Sequence, residues 1–492
     1  MSRSLALGFA LFSALAAAPG CGAMMGLASP GLGVTTGGAQ DVGLARNLVA
    51  AGQIPEPSAF VIEGLLAEHD LPIPHAPCER LLCFDAAVGV APALDTGRDS
   101  AFMVVGFSSS VVPSALQRPA LNLALVIDKS GSMAGAKITA ARDAVHRVID
   151  QLGPGDRLTL MAFDDGVEVL AEGVAVSEGQ RARLHRLVSR IDDDGGTNLE
   201  RALGEAFARL EDQRSDGRSD RVLLVTDARP TVGPTGESAF VELAGAWAAQ
   251  GYGLTVVGVG LDFGQDLTLA ISRLPGGNFV YLEHEGKLAE RLGEGFDHLV
   301  TPLAWDLEMR VEPLEGYRVA RAFGVPSWVA DAGDGAVVIH LPTLFPSKHR
   351  GAIVLALEPA EAGRPIAHGP LARDVLSYRE ARGGEVVRWE GTVAVPEVAE
   401  DAVGVVRAVA LVQAGLGLQR AATLAREGRY AAALDVLAAV RGVVGEEELD
   451  GEERLVADLE RVIAAHAEAE ARAAQGEGEP GEGGEGEGRW IR

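Results

Sequence analysis

The chain has 492 residues and carries 69 acidic against 43 basic side chains, a formal net charge of −26. With 47% apolar and 23% charged residues it has the composition and length of a folded protein with more than one core, not of a disordered chain. An acidic surface of this size repels phosphate backbones and argues against a nucleic-acid partner, while bulk charge by itself favours cations or basic partners.

Residues 1–21 read as an address. Arg3 precedes an apolar run from Leu5 to Ala18, about 14 residues, which is too short to span a bilayer but has the length of a secretory core. The run closes on Ala18-Pro19-Gly20-Cys21, an ending that resembles the bacterial lipoprotein signal. That resemblance implies export, a lipid on Cys21, and a place in the cell envelope on the periplasmic or surface face of a bacterial membrane. An ordinary cleaved signal peptide is the alternative. No later segment reaches about 18 uninterrupted apolar residues. Apart from Cys21, the chain has one pair of cysteines, Cys78 and Cys83. In an exported protein their spacing suits a short-loop disulfide, with two free buried thiols as the alternative.

Residues 22–40 are rich in glycine and small side chains without periodicity and read as a flexible tether. Residues 41–118 form an irregular N-terminal extension with strand character at Leu81–Val90 and Val104–Phe107. From 119 to 302 short apolar runs alternate with helical periodicity. The runs are Leu121–Ile127, Arg157–Phe163, Arg221–Thr226, Leu254–Val259 and Asn278–Leu282. Helical spacing fills Ala136–Leu152, Asn198–Leu210, Ala239–Ala249, 266–271 and 288–299. Ser177 and Gln180 have the spacing of a capping box before a further helix through Ile191, and Asp164-Asp165-Gly166 reads as a hairpin turn. The alternation predicts an α/β fold, a doubly wound and mostly parallel sheet covered on both faces, with ligands at the carboxyl ends of its strands. Residues 303–398 show period-two alternation (Trp305, Leu307, Met309, Val311) and read as a β-sandwich-like region. Residues 399–474 read as a helical hairpin, and 475–492 as a disordered acidic tail.

The residues that carry chemistry fall at the carboxyl edge of the parallel sheet. Asp128, Ser130 and Ser132 follow the first strand, Thr197 opens a helix after Gly195-Gly196, and Asp227 ends a later strand. Together they offer two carboxylates and three hydroxyls, all hard oxygen donors suited to Mg²⁺ or another divalent cation such as Ca²⁺ or Mn²⁺. Mg²⁺ uses few protein carboxylates and leaves coordination positions for other ligands, so an acidic side chain from elsewhere could complete its shell. Thr197 could instead serve as the helix N-cap. Ser132 also sits in Gly131-Ser132-Met133-Ala134-Gly135, the wording of a nucleophile elbow, so a serine hydrolase with Asp227 and His284 is the rival reading. That reading leaves Asp128, Ser130 and Thr197 without a task.

Asp-x-Ser-x-Ser, a Thr in a Gly-Gly-Thr loop and an Asp in a Thr-Asp turn resemble the metal-ion-dependent adhesion site of von Willebrand factor type A domains. The likeness covers about residues 119–300, with Ala228 where many bacterial members carry Gly. Arg46-Asn47-Leu48, Gly52–Pro55, Ile62–Leu65 and Leu71-Pro72 are similar to the N-terminal extension of a group of bacterial proteins with such domains. The resemblance implies that Ser130, Ser132 and Thr197 contact the metal, with Asp128 and Asp227 acting directly or through water. It also implies a non-enzymatic binding protein that ligates an acidic residue of a protein partner, in adhesion or envelope assembly. A metal-stabilised scaffold without a bridging ligand is the alternative. Lys129, if it pointed inward, would weaken the ion's hold.

Overall fold

The computed structural model describes residues 33–476 except 40, 74–78, 93–97, 112–117, 228–229, 235, 260–273, 283–291, 293–294, 326–327, 331–334, 362, 382–383 and 398–402. The signal segment with Cys21, Cys78, the helix expected at 266–271, Ala228, His284 and the acidic tail lie outside the described residues. Cys83 is disulfide-bonded.

The chain opens with β1 (Gly33–Thr36) and β2 (Gly38–Ala39), then α1 (Gly43–Ala50), α2 (Ile62–Ala67), β3 (Cys83–Pro92) and β4 (Asp99–Ser108). The α/β region follows. It comprises β5 (Ala120–Asp128), α3 (Ala136–Gln151), β6 (Arg157–Phe163), β7 (Val167–Ala175), α4 (Glu178–Val188) and α5 (Leu199–Asp212). It continues with β8 (Arg218–Thr226), α6 (Glu237–Ala248), β9 (Gly253–Val259), β10 (Gly277–Leu282) and α7 (Phe296–Val300). Its sheet has the order β2-β10-β9-β8-β5-β6-β7 and is parallel throughout except for the β6–β7 hairpin. Along β5, Leu121, Leu123, Leu125 and Ile127 pack with Ile138, Val145 and Ile149 of α3. Ala124 and Val126 face Leu203, Phe207 and Leu210 of α5 on the other side. Burial on both faces is why these strands read as unbroken apolar runs.

After α7 come β11 (Ala304–Pro313), β12 (Tyr317–Phe323), β13 (Trp328–Ala330), β14 (Val337–Ser347), β15 (Ala352–Pro359), β16 (Gly369–Glu380) and β17 (Val386–Val395). They form an antiparallel sheet in the order β12-β15-β4-β1-β14-β11-β16-β17, with β13 on β14 and β3 on β4. The strands of the N-terminal extension are therefore not a separate unit from 303–398, because β4 pairs with β15 over six residue pairs and β3 with β4 over ten. The α/β region is inserted between two halves of one antiparallel sheet. One face of that sheet buries Val105, Phe107, Met309 and Leu355. The other buries Phe102, Val104 and Val354 against α1, α2 and three C-terminal helices. These are α8 (Val403–Arg426), α9 (Tyr430–Glu446) and α10 (Asp450–Gly476), where the sequence suggested a hairpin.

Two further expectations are corrected. Residues 33–39 are strand rather than tether: β1 lies between β4 and β14, and Val34 is fully buried. Glycine serves close packing here, since a Cβ on Gly33 would stand 2.3 Å from the carbonyl oxygen of His349. The capping box at Ser177 does not form either; Ser177 is the N-cap residue of α4, but its exposed side chain makes no cap hydrogen bond.

The two sheets meet at the amino-terminal ends of β8–β10. The buried Arg221 guanidinium donates to Thr255 Oγ1 at 2.9 Å and to the Gly276 carbonyl at 3.0 Å, and lies over the Phe345 ring of β14. Thr343 Oγ1 accepts from the Gly276 N–H at 2.6 Å. Docking this end leaves the opposite, carboxyl end of the strands to carry the site.

Candidate functional site

β5 delivers Asp128 to the carboxyl edge, where the chain makes a single 3₁₀ turn over Gly131–Met133 before α3. Asp128 is fully buried, and both its oxygens are fixed. Oδ1 accepts from the Ser130 N–H at 2.9 Å and Oδ2 from the Thr226 hydroxyl at 2.5 Å. Ser130 Oγ lies 3.1 Å from Ser132 Oγ, and Ser132 Oγ donates to Asp227 Oδ1 at 3.1 Å. Asp227, the residue after β8, is also fully buried. The two carboxylates and two serines thus form one connected array of oxygens, although Asp128 and Asp227 come from different strands.

Thr197 reaches the same edge on a loop stitched to the first. The Gly131 N–H donates to the Gly195 carbonyl at 2.9 Å, and the Asp194 N–H to the Lys129 carbonyl at 2.7 Å. The Asn198 N–H donates to the Asp164 carbonyl at 2.8 Å, so the β6–β7 hairpin braces this loop as well. Thr197 is 1% exposed, and its N–H donates to Thr231 Oγ1 at 2.9 Å. It is not the helix cap: Asn198 takes that position on α5 and accepts from the Arg201 N–H. The Thr197 hydroxyl is thereby released from the structural task that the sequence allowed it.

The electrostatics fit a cation. Burial pushes the Asp128 carboxyl up to about 6 against the hydrogen bonds from Ser130 and Thr226, with the Asp227 charge nearby adding to the rise. A buried carboxyl held up in this way lacks positive charge, which a divalent ion would supply. Lys129 does not provide it, because its ammonium pairs with Asp164 at the hairpin turn. Sequence reasoning missed Lys137, the second residue of α3, whose Nζ stands 2.9 Å from Asp227 Oδ2. The signal was present: the chain has only four lysines against 39 arginines, and two of the four flank this motif. Thr226, adjacent to a residue already singled out, was overlooked as the partner of Asp128.

Ser132 has Ser130 and Asp227 as its hydrogen-bond partners. A second group of possible ligands, Glu68, His69 and Glu452, lies where α1 and α2 meet α10. Arg46 already bridges it, with contacts of 2.7 and 2.6 Å to Glu68 and 3.1 Å to Glu452. His69 Nε2 stands 3.2 Å from the second Glu452 oxygen. This is an ion-paired latch between the two ends of the described chain.

Comparison with known proteins places the likeness in the α/β region. Residues 123–229 match the sequence profile of the von Willebrand factor type A domain. Human inter-alpha-trypsin inhibitor heavy chain H4 is 26% identical over 197 residues, 39% of this chain and 21% of that protein. An uncharacterized protein of Synechocystis is 29% identical over 185 residues, 37% of this chain and 42% of its own length. The chain thus spans well under two thirds of either curated relative. A solved von Willebrand factor type A structure from Catenulispora acidiphila superposes with a TM-score of 0.50 at 18% identity, covering 79% of this chain and 90% of the other. That likeness, one of fold alone, extends past the α/β region.

Proposed function

Because the chain carries a von Willebrand factor type A domain, a module of protein–protein interaction, we propose that it is an exported, lipid-anchored envelope protein that grips an acidic residue of a protein partner through a divalent cation. The observation that carries this reading is the connected array Asp128–Ser130–Ser132–Asp227, with Thr197 on the loop stitched beside it. Five oxygen-bearing side chains fit a hard cation. When bound, such an ion supplies a Lewis-acidic position that a carboxylate can occupy.

The chain's own residues do the remainder. Thr226 and the Ser130 N–H fix Asp128 so that both of its oxygens are committed to one orientation, and Ser132 ties the first loop to Asp227. The hydrogen bonds between Gly131 and Gly195 and between Asp194 and Lys129 hold the two loops beside each other. The reading is binding and not hydrolysis, because Asp128, Ser130 and Thr197 would have no task in a serine hydrolase, whereas a cation site uses all five residues. The lipid on Cys21 would hold this surface at a membrane.

Calorimetric titration of the mature chain with Mg²⁺ and Mn²⁺ tests the site. Saturable one-site binding is expected for the wild type and loss of it in Asp128→Ala and Thr197→Ala. Equal heats in all three would refute the reading. Palmitate labelling of the expressed precursor, with Cys21→Ser as control, tests the anchor; an unlabelled wild type removes it.

A further inference from the structure

Lys137 occupies the second position of α3, where the unsatisfied N–H groups and the helix dipole disfavour a cation. The first turn of this helix contains no acidic residue to relieve it. What the lysine gains is Asp227: its Nζ meets Oδ2 at 2.9 Å while Oδ1 accepts from Ser132. Asp227 is fully buried, and a buried carboxylate without a positive partner is costly. Lys137 supplies that partner without any metal. Its own side chain remains 22% exposed, so the ammonium has a route to solvent on a flexible four-carbon stem.

These observations bear on how the proposed cation site is governed, and the inference rests on that reading. We propose that Lys137 is a placeholder cation that competes with the divalent ion for Asp227 and so sets the concentration at which the site fills. Binding the ion then requires the ammonium to yield Oδ2, because two cations on one carboxylate repel each other. The use of lysine in a chain whose basic residues are nearly all arginine agrees with this. A point charge is released more readily than the forked, bidentate contact an arginine would make with the same carboxylate. The α/β region therefore folds with the buried charge of Asp227 compensated, and metal loading becomes a separate, later event. The contact also separates the two carboxylates by task. Asp128 is held by neutral donors, whereas Asp227 already has a charge that must leave.

Calorimetry of the whole mature chain with Mg²⁺ tests this in the wild type, Lys137→Met and Lys137→Arg, alongside thermal unfolding in metal-free buffer. Lys137→Met is expected to bind Mg²⁺ at least about tenfold more tightly, since a neighbouring unit charge has gone. It should also melt below the wild type without metal and regain the difference on Mg²⁺ addition. Lys137→Arg is expected to keep the metal-free stability and bind Mg²⁺ more weakly than the wild type, which controls for a folding defect in the first variant. Unchanged or weaker Mg²⁺ binding by Lys137→Met, with wild-type binding intact, overturns the proposal. A wild type that takes up no Mg²⁺, and matches Asp128→Ala, instead overturns the cation site on which it rests.

Discussion

Arg118 grips Asp156 with two nitrogens, each 2.7 Å from a different carboxylate oxygen, and the N–H groups of Leu121 and Gly153 reach the same carboxylate at 2.7 Å. The cluster fastens the start of β5 to the turn after α3. Burial works to raise the Asp156 pKa, but the Arg118 and backbone hydrogen bonds outweigh it and hold the group below its ordinary 3.8. Its contribution is complete above 3.8 and is lost as pH falls through the lower folded value. Asp374 in β16 is the opposite case. Its Oδ1 is buried without a hydrogen-bond partner among the described residues, and burial pushes the carboxyl up to about 6. The folded state then holds the Asp374 proton more tightly than the unfolded state, so stability drops as pH climbs from 3.8 through about 6. Urea unfolding from about pH 3 to pH 8 separates the two signs. Asp156→Asn is expected to cost about 2–3 kcal/mol at neutral pH and progressively less in acid. Asp374→Asn is expected to gain stability near neutral pH and nothing in acid. A pH-independent difference at either position would show that the carboxylate's charge is not what matters there.

At the level of elements, α8 shows what composition conveys and what it leaves open. The helix is apolar around most of its circumference, the mark of a buried helix, and it packs against α2, α9 and the antiparallel sheet. Gly417 lies at the α8–α9 contact, where a Cβ would stand 2.1 Å from a methyl of the β-branched Val440. Gly442 on α9 meets nothing within 4 Å. Alanine ordinarily gains about 0.5–1 kcal/mol over glycine inside a helix, so Gly442→Ala is expected to raise stability by that amount. Gly417→Ala is expected to lower it by about 1–3 kcal/mol through overpacking, because Val440 is stiff. Chemical denaturation of both variants checks the pair, and the same sign for both would contradict the contact. The parallel strands were legible because burial on both faces removes polar alternation; β5, β6, β8, β9 and β10 all appear where apolar runs predicted them. That Asp128, Ser130, Ser132, Thr197 and Asp227 come to one edge of the parallel sheet was legible because the oxygen donors recur at strand ends and helix starts. The edge strand β7 was not, since its exposed residues blur the pattern: only Ala171 of its nine positions is buried. The pairing of β4 with β15, far along the chain, was also invisible, because local periodicity carries no information on distant partners.

For the whole molecule, the decisive segment is the one whose composition suggested slack chain. β1 inserts between β4 and β14 of the antiparallel sheet, and β2 adds to β10 of the parallel sheet, with Gly37 between them. The Gly37 N–H donates to the Thr343 carbonyl at 3.0 Å, beside the hydroxyl that accepts from Gly276. Seven consecutive residues therefore join the two sheets, four in the antiparallel one and two in the parallel one, and, with Arg221, make the inserted α/β region continuous with its host. The candidate site at the far end of that region is thus attached to the host sheet through this strap. Replacing Val34, Thr35 and Thr36 by glycine would create in fact the slack segment that composition implied. The substitution removes one fully buried side chain and two β-branched strand residues and adds backbone entropy to the unfolded state. In calorimetry the wild type is expected to unfold as one transition, since both sheets share the strap and the Arg221 contacts. The triple variant is expected to melt earlier and to split into two, one for each sheet, while Mg²⁺ shifts only the transition of the α/β region. A single, unshifted transition in the variant would mean that the Arg221–Phe345 and Thr343–Gly276 contacts couple the sheets by themselves, leaving β1 and β2 as passengers.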